Sequence, residues 1–156
     1  MKQRAFDQQT ASEIIASFDA RAEMLVQILH AFMSRFGWIS EDAIRQLAKE
    51  LNLSRADVHG VVSYYHDFRT APPGRHIVKI CEAEACQAMG SRKLSAHAQQ
   101  SLGLDMHAAN ADVSLEPVYC LGNCACSPAI MVDGKTYGRV SAERFDAIVA
   151  SLERTE

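Results

Sequence analysis

His76-Ile-Val-Lys-Ile-Cys81-Glu-Ala-Glu-Ala-Cys86 decides how the chain is read. A short β-rich run leads into one cysteine, and a second follows five residues on. Further along stands Cys120-Leu-Gly-Asn-Cys124-Ala-Cys126, and these two stretches hold all five cysteines. Thirty-three cysteine-free residues separate them. Two tight pairs brought together by folding are what a four-thiolate metal site requires. Each iron of a [2Fe–2S] rhomb takes two thiolates, so two close pairs suit it. A structural zinc also accepts four sulfurs, with two to four residues inside a pair, so spacing alone leaves both metals open.

Two other uses of cysteine are disfavoured. A secreted disulfide framework fits poorly: the count is odd, and no apolar run follows Met1-Lys-Gln-Arg4. Buried structural thiols would be scattered rather than clustered. The composition is that of a globular protein, with 48% hydrophobic and 22% charged residues. A chain of 156 residues buries ~70% of its unfolded surface, enough for a real core. The net charge of −3 gives no basic footprint for nucleic acid. No apolar run reaches the ~20 residues of a membrane span. A thiolate site without a secretory signal points to a reducing compartment, the cytoplasm.

The N-terminal part reads as a bundle of three or four helices, residues 1–70. Residues 1–10 are polar and expected to be frayed or bound to a partner. Ala11–Ala20 is weakly helical. Leu25, Ile28, Leu29, Phe32, Met33 and Phe36 then form one apolar stripe, closed by Gly37. Ser40 is a good N-cap for a helix with Ala43, Ile44, Leu47 and Leu51 inside. Ser54-Arg-Ala-Asp57 resembles a capping box and starts another, with Val58, Val61 and Val62 on its core face. Tyr64, Tyr65, His66 and Phe68 read either as packing or as a partner-facing surface. The acidic balance argues against a DNA-binding helical module. His30 is expected at or near the surface and His97 and His107 in solvent, while His59 and His66 have no carboxylate or cysteine partner near in sequence that would make a metal site.

Residues 75–156 form a second, α/β part after the breaker Ala71-Pro-Pro-Gly74. His76–Ile80 is a buried strand that delivers Cys81 to its carboxyl end, where α/β folds place ligands. Cys86 is expected near the start of a helix running to about Ser101, with Gly103 as its stop. Leu115–Tyr119 is a second strand, delivering Cys120. Pro128–Val132, Asp133-Gly134 and Lys135–Tyr137 read as a hairpin with a two-residue turn. Ser141 caps a last helix with Phe145, Ile148, Val149 and Leu152 inside. The fold class is α+β.

These motifs together resemble a family. Cys81-x4-Cys86, a gap of thirty to forty, then Tyr119-Cys-Leu-Gly-x-Cys124 is similar to the [2Fe–2S] subunit typified by the 24-kDa subunit of respiratory complex I. Gly60-Val-Val-Ser-Tyr-Tyr-His-Asp-Phe68, Pro73-Gly74 and Gly90 extend the likeness, which runs from about Leu25 to the C-terminus. The resemblance implies a thioredoxin-like domain with one [2Fe–2S] cluster on Cys81, Cys86, Cys120 and Cys124. Cys126 departs from the complex I pattern and leaves open which of Cys124 and Cys126 is the fourth ligand; the Cys-Leu-Gly-x-Cys match favours Cys124. The resemblance further implies an electron-transfer subunit with no active site of its own, docked on a partner that carries FMN and NAD(H).

Cys-Glu-Ala-Glu-Ala-Cys-Gln-Ala-Met-Gly90 and Cys-Leu-Gly-Asn-Cys-Ala-Cys-Ser-Pro-Ala129 look most like the gamma subunit of NAD-dependent formate dehydrogenases, whose catalytic subunit holds molybdenum. The corresponding subunits of complex I and of NAD-reducing hydrogenases are the alternatives. The chain carries no Gly-x-Gly-x-x-Gly, Walker loop, His-Glu-x-x-His or nucleophile elbow, in keeping with a carrier. A zinc-stabilised docking module is the alternative from another class. A thiol–disulfide oxidoreductase lacks its Cys-x-x-Cys. Glu82 and Glu84, if close to the cluster, would make its reduction harder.

Overall fold

The structure, a computed structural model, describes residues 6–152. The chain divides into two compact units, with the boundary between Pro72 and Pro73.

The first unit is helical. Helix α1 spans Gln8–Ala16 because Asp7 caps it, its carboxylate accepting from the Thr10 amide at 2.7 Å. Residues 8–10 are therefore its first turn rather than a frayed tail; the expectation for Met1–Ala5 lies outside the described residues. The helix ends before Asp19 and Ala20, whose φ of 56° and 50° are left-handed. Helix α2 is Leu25–Phe36, stopped by Gly37 at φ 85°. Helix α3 is Glu41–Glu50, with the Ser40 hydroxyl accepting from Ala43 N at 3.1 Å. Helix α4 is Arg55–Tyr64, opened by a full capping box between Ser54 and Asp57.

Ile15, Ile28, Leu29, Phe32, Leu47 and Val58 are fully buried in one core. The stripes that the helical period lays along α2 and α3 supply most of it. The aromatic stretch after α4 divides. Phe68 is buried, with its ring 5.0 Å from His30 and 5.5 Å from Tyr65, whereas Tyr64 is 77% exposed.

The second unit is a four-stranded mixed sheet in the order β2-β1-β3-β4. Strand β1 is His76–Cys81 and β2 is Val113–Val118; they pair in parallel, His76 opposite Val113 and Cys81 opposite Val118. Strands β3 (Ile130–Val132) and β4 (Lys135–Tyr137) form the expected hairpin, and β3 pairs antiparallel to β1. Asp133 and Gly134 both have positive φ, 49° and 85°, which a two-residue turn of this kind demands. A parallel pair needs a crossover, supplied here by α5 (Glu84–Ala88) and α6 (Ser91–Leu102).

The helix expected from Cys86 to Ser101 is thus two helices. Gly90 sits between them at φ 96°, a conformation that ends one helix and lets the next start in a new direction. Helix α7 (Ala142–Leu152) packs Phe145 and Ile148 onto Ile80, Leu115, Ile130 and the α6 residues Leu94 and Ala98. His97 is not a free surface side chain: its Nε2 is 2.8 Å from Asp146 Oδ1 and its ring meets Phe145 edge-on.

Strand β2 begins two residues before its expected start. The buried Ser114 hydroxyl accepts from Gly74 N at 2.7 Å and ties the start of β1 to it. Among the described residues no helix is long and apolar enough to cross a membrane.

Candidate functional site

The sheet places the thiols. Cys81 is the last residue of β1, 2% exposed, with its N–H on the Ala129 carbonyl at 3.0 Å. The next amide, Glu82 N–H, bonds to Val118 O at 2.8 Å. Strand β2 ends at Val118, and two residues later comes Cys120. Neighbouring strands lie ~4.8 Å apart, so parallel pairing alone brings Cys81 and Cys120 to one edge, at the strands' carboxyl ends. Cys86 reaches the same place from α5 and is also 2% exposed.

After Cys120 the chain turns sharply. Gly122 adopts φ 68°, which aims its N–H back at Cys120 Sγ, 3.3 Å away. A single 3₁₀ turn, Cys124–Cys126, follows, closed by Cys126 N on Asn123 O (3.0 Å) and Ser127 N on Cys124 O (3.3 Å).

The thiols meet as two pairs. Cys81 lies beside Cys86 and Cys120 beside Cys124, each pair close enough for one thiol to shift the ionisation of the other, and Cys124 also feels the charge of Cys86. The inner pair is buried and the outer pair exposed. Among the described residues no three His, Cys, Asp or Glu converge tightly enough for a single metal ion. The backbone amides of Ala83 and Leu121 favour the ionised form of Cys81, and that of Ala129 the ionised form of Cys86.

Burial pushes the Cys81 thiol up, and its amide donors only partly offset this. Burial also acts to raise Cys86, but its interactions with Ser127, Cys81 and the Ala129 amide outweigh it, and that thiol ionises more readily than usual. Cys124 is raised, chiefly by Cys120 beside it. Amide donors converging on sulfur suit anionic, metal-bound thiolate, so this donor set fits a [2Fe–2S] rhomb with one pair at each end.

Cys126 backs onto Gly138. A Cβ added at Gly138 would lie 2.6 Å from Cys126 Cβ, so this turn lies close against the connection between β4 and α7. The Cys126 carbonyl accepts from Arg139 N at 2.6 Å. The Glu82 carboxylate accepts from Ser95 Oγ on α6 at 2.9 Å, while Glu84 stands exposed in the first turn of α5. Sequence reasoning missed Ser127, which is buried, 3.4 Å from Cys86 Sγ and 2.8 Å from the Cys124 carbonyl. Its only signal was its place between Cys126 and a proline.

The chain is 33% identical over 130 residues to a subunit of the NADH-quinone oxidoreductase of Pseudomonas aeruginosa, covering 82% of this chain and 76% of that one. It is 30% identical over 140 residues to the NADP-reducing hydrogenase subunit HndA of Solidesulfovibrio fructosivorans, covering 88% and 82%. Among solved structures, an NAD+-reducing [NiFe]-hydrogenase in the air-oxidised state superposes with a TM-score of 0.70 at 22% identity, which shows a shared fold. The superposition covers 86% of this chain but only 24% of that longer one. The profile of the thioredoxin-like [2Fe-2S] ferredoxins matches residues 11–153. The chain belongs to the thioredoxin-like [2Fe–2S] ferredoxin family, whose members hold one such cluster.

Proposed function

We propose that Cys81, Cys86, Cys120 and Cys124 hold the cluster, and that the chain is the electron-transfer subunit of an NAD(H)-dependent oxidoreductase. The observation that carries this is the meeting of two thiol pairs at the carboxyl ends of β1 and β2, with backbone N–H groups aimed at the sulfurs. Cys126 is left out because the Cys-Leu-Gly-x-Cys likeness and the closeness of Cys124 to Cys120 favour Cys124. Helix–sheet boundaries of roughly 1–70 and 75–156 then separate a helical unit from the cluster-bearing one.

When bound, the cluster takes up and releases one electron at a time. The chain's own part is to hold the thiolates, keep the inner pair dry, and direct N–H donors at sulfur, all of which set a reduction potential. Cys120 and Cys124 lie exposed beside Tyr119, itself 60% exposed, so this face is the one a redox partner meets. That partner is a subunit carrying FMN and the NAD(H) site, where two-electron hydride chemistry is split into single electrons. The reducing cytoplasm suits five free thiols.

For the parent enzyme, the run from Cys81 to Gly90 and the Cys-Ala-Cys-Ser-Pro turn support a formate dehydrogenase with a molybdenum catalytic subunit. The relatives support a second reading, in which the parent is complex I or a hydrogenase.

Anaerobic purification of the chain with its natural partners tests both levels. Two irons and two sulfides per chain, with a paramagnetic signal on reduction, are expected. Stoichiometric zinc in a colourless protein would replace this reading with a structural docking module. NAD+ reduction by formate, rather than by hydrogen or reversal from quinol, is expected of the purified assembly.

A further inference from the structure

Ser127 stands between the two thiol pairs and has a single hydroxyl proton for two acceptors. Its Oγ donates to the Cys124 carbonyl at 2.8 Å, and it accepts from the Cys86 thiol at 3.4 Å. It is buried, 8% exposed, so water does not readily supply a substitute. The Cys124 carbonyl has a second donor, the Ser127 amide at 3.3 Å. Metal ligation removes the thiol proton, so a ligating Cys86 can no longer donate, and its sulfur becomes an anionic acceptor facing a hydroxyl. A hydrogen bond to a charged acceptor is about twice as strong as a neutral one.

We infer that Ser127 is a positioning residue that tunes the centre: with Cys86 bound to metal, its hydroxyl swings from the Cys124 carbonyl to Cys86 Sγ, leaving the carbonyl on the Ser127 amide. No proton leaves Ser127; the hydrogen bond changes acceptor. The inference rests on the cluster reading above, with Cys86 as a ligand. A reduced centre places more negative charge on its sulfurs than an oxidised one. The O–H···S bond therefore strengthens on reduction and makes the centre easier to reduce. The hydroxyl also joins the buried pair to the turn that carries the exposed pair, so one side chain senses both.

The test is a redox titration of the anaerobically purified full chain, with dithionite as the one-electron reductant and the reduced state followed by EPR. Ser127→Ala removes the hydroxyl, and Ser127→Thr keeps it. Iron and sulfide analysis of the wild type, independent of either variant, checks the cluster reading itself. With the cluster present, Ser127→Ala is expected to lower the one-electron reduction constant about tenfold, which is 59 mV. Ser127→Thr should restore most of it and keep the wild-type EPR line shape.

An unchanged potential in a fully loaded Ser127→Ala protein overturns the proposal. So does an equal shift in both variants, which would assign the effect to packing. If Ser127→Ala fails to load, a loaded Ser127→Thr protein at the wild-type potential supports the hydroxyl; failure of both to load counts against it.

Discussion

Replacing Gly138 with alanine puts a methyl group where the cysteine turn leaves no room. The new Cβ would stand 2.6 Å from Cys126 Cβ, 2.7 Å from Asn123 Nδ2 and 2.8 Å from the Cys126 carbonyl oxygen. Non-bonded carbons rest at about 3.5–4.0 Å, so the turn must retreat by roughly 1 Å. The Asn123 amide can swing aside. Cys126 cannot: its N–H is held on Asn123 O at 3.0 Å and its carbonyl on Arg139 N at 2.6 Å. Overpacking of this kind costs about 1–3 kcal/mol; at ~2 kcal/mol the shift in equilibrium is roughly thirtyfold.

The strain falls on the turn that bears Cys124 and, through Asn123, on Cys120. Cys81 and Cys86 lie on other elements and keep their places. Gly138→Ala should therefore fold and then lose iron faster. Anaerobic challenge with an iron chelator, followed by the decay of visible absorbance, should show release accelerated by about tenfold or more. Adding Cys126→Gly removes the nearest contact and should recover part of the loss. Iron release within twofold of wild type, with an unchanged unfolding midpoint, would refute the reasoning.

Gly60 sits in mid-helix α4 with nothing within 4 Å of an added Cβ. Gly60→Ala should raise the stability of the helical unit by about 0.5–1 kcal/mol, read from urea unfolding. Ser40→Ala should lower it by ~1 kcal/mol, through loss of the cap on Ala43. The Thr10 side chain and amide hold the Asp7 carboxyl below its usual range. A depressed folded pKa contributes stability that is present above the unfolded value of about 3.9 and is lost as pH falls through the folded one. Asp7→Asn keeps a capping oxygen without the charge, so its thermal unfolding should converge with that of wild type in acid and fall below it at neutral pH. Cys126→Ala should retain both irons, whereas Cys124→Ala should not; the reverse result in iron analysis would move the fourth ligand to Cys126.

Much of the fold was legible because its signals are local. Gly37, Ser40 and the Ser54–Asp57 box mark helix ends with their own atoms, and Asp133-Gly134 can form only a narrow set of turns. The site was legible as two cysteine pairs for the same reason. What escaped depends on contacts distant in sequence. The Gly90 break is invisible in a window of good helix formers, since nothing local says that α5 must hold Cys86 at the sheet end while α6 turns to the core. The early start of β2 follows from Ser114 meeting Gly74, forty positions away. The close approach of Gly138 to Cys126 and the meeting of Ser127 with Cys86 likewise join residues distant in sequence. The bond of Glu82 to Ser95 on α6 is another contact that no local pattern signals.

The parallel pairing of β1 and β2 has a consequence for how this centre tolerates change. The ladder that sets Cys81 opposite Val118 fixes where Cys120 emerges, whatever length of chain makes the return trip. That return passes Gly103 and Asp105, both exposed and both outside any helix or strand. Residues inserted there would lengthen a tether without moving its two anchorages. A chain with a longer or shorter return would keep the same strand ladder, and a search that demands a fixed interval between the two cysteine pairs would pass it over. For the protein engineer, the same stretch is the natural place to splice in a tag or a second module without disturbing the centre.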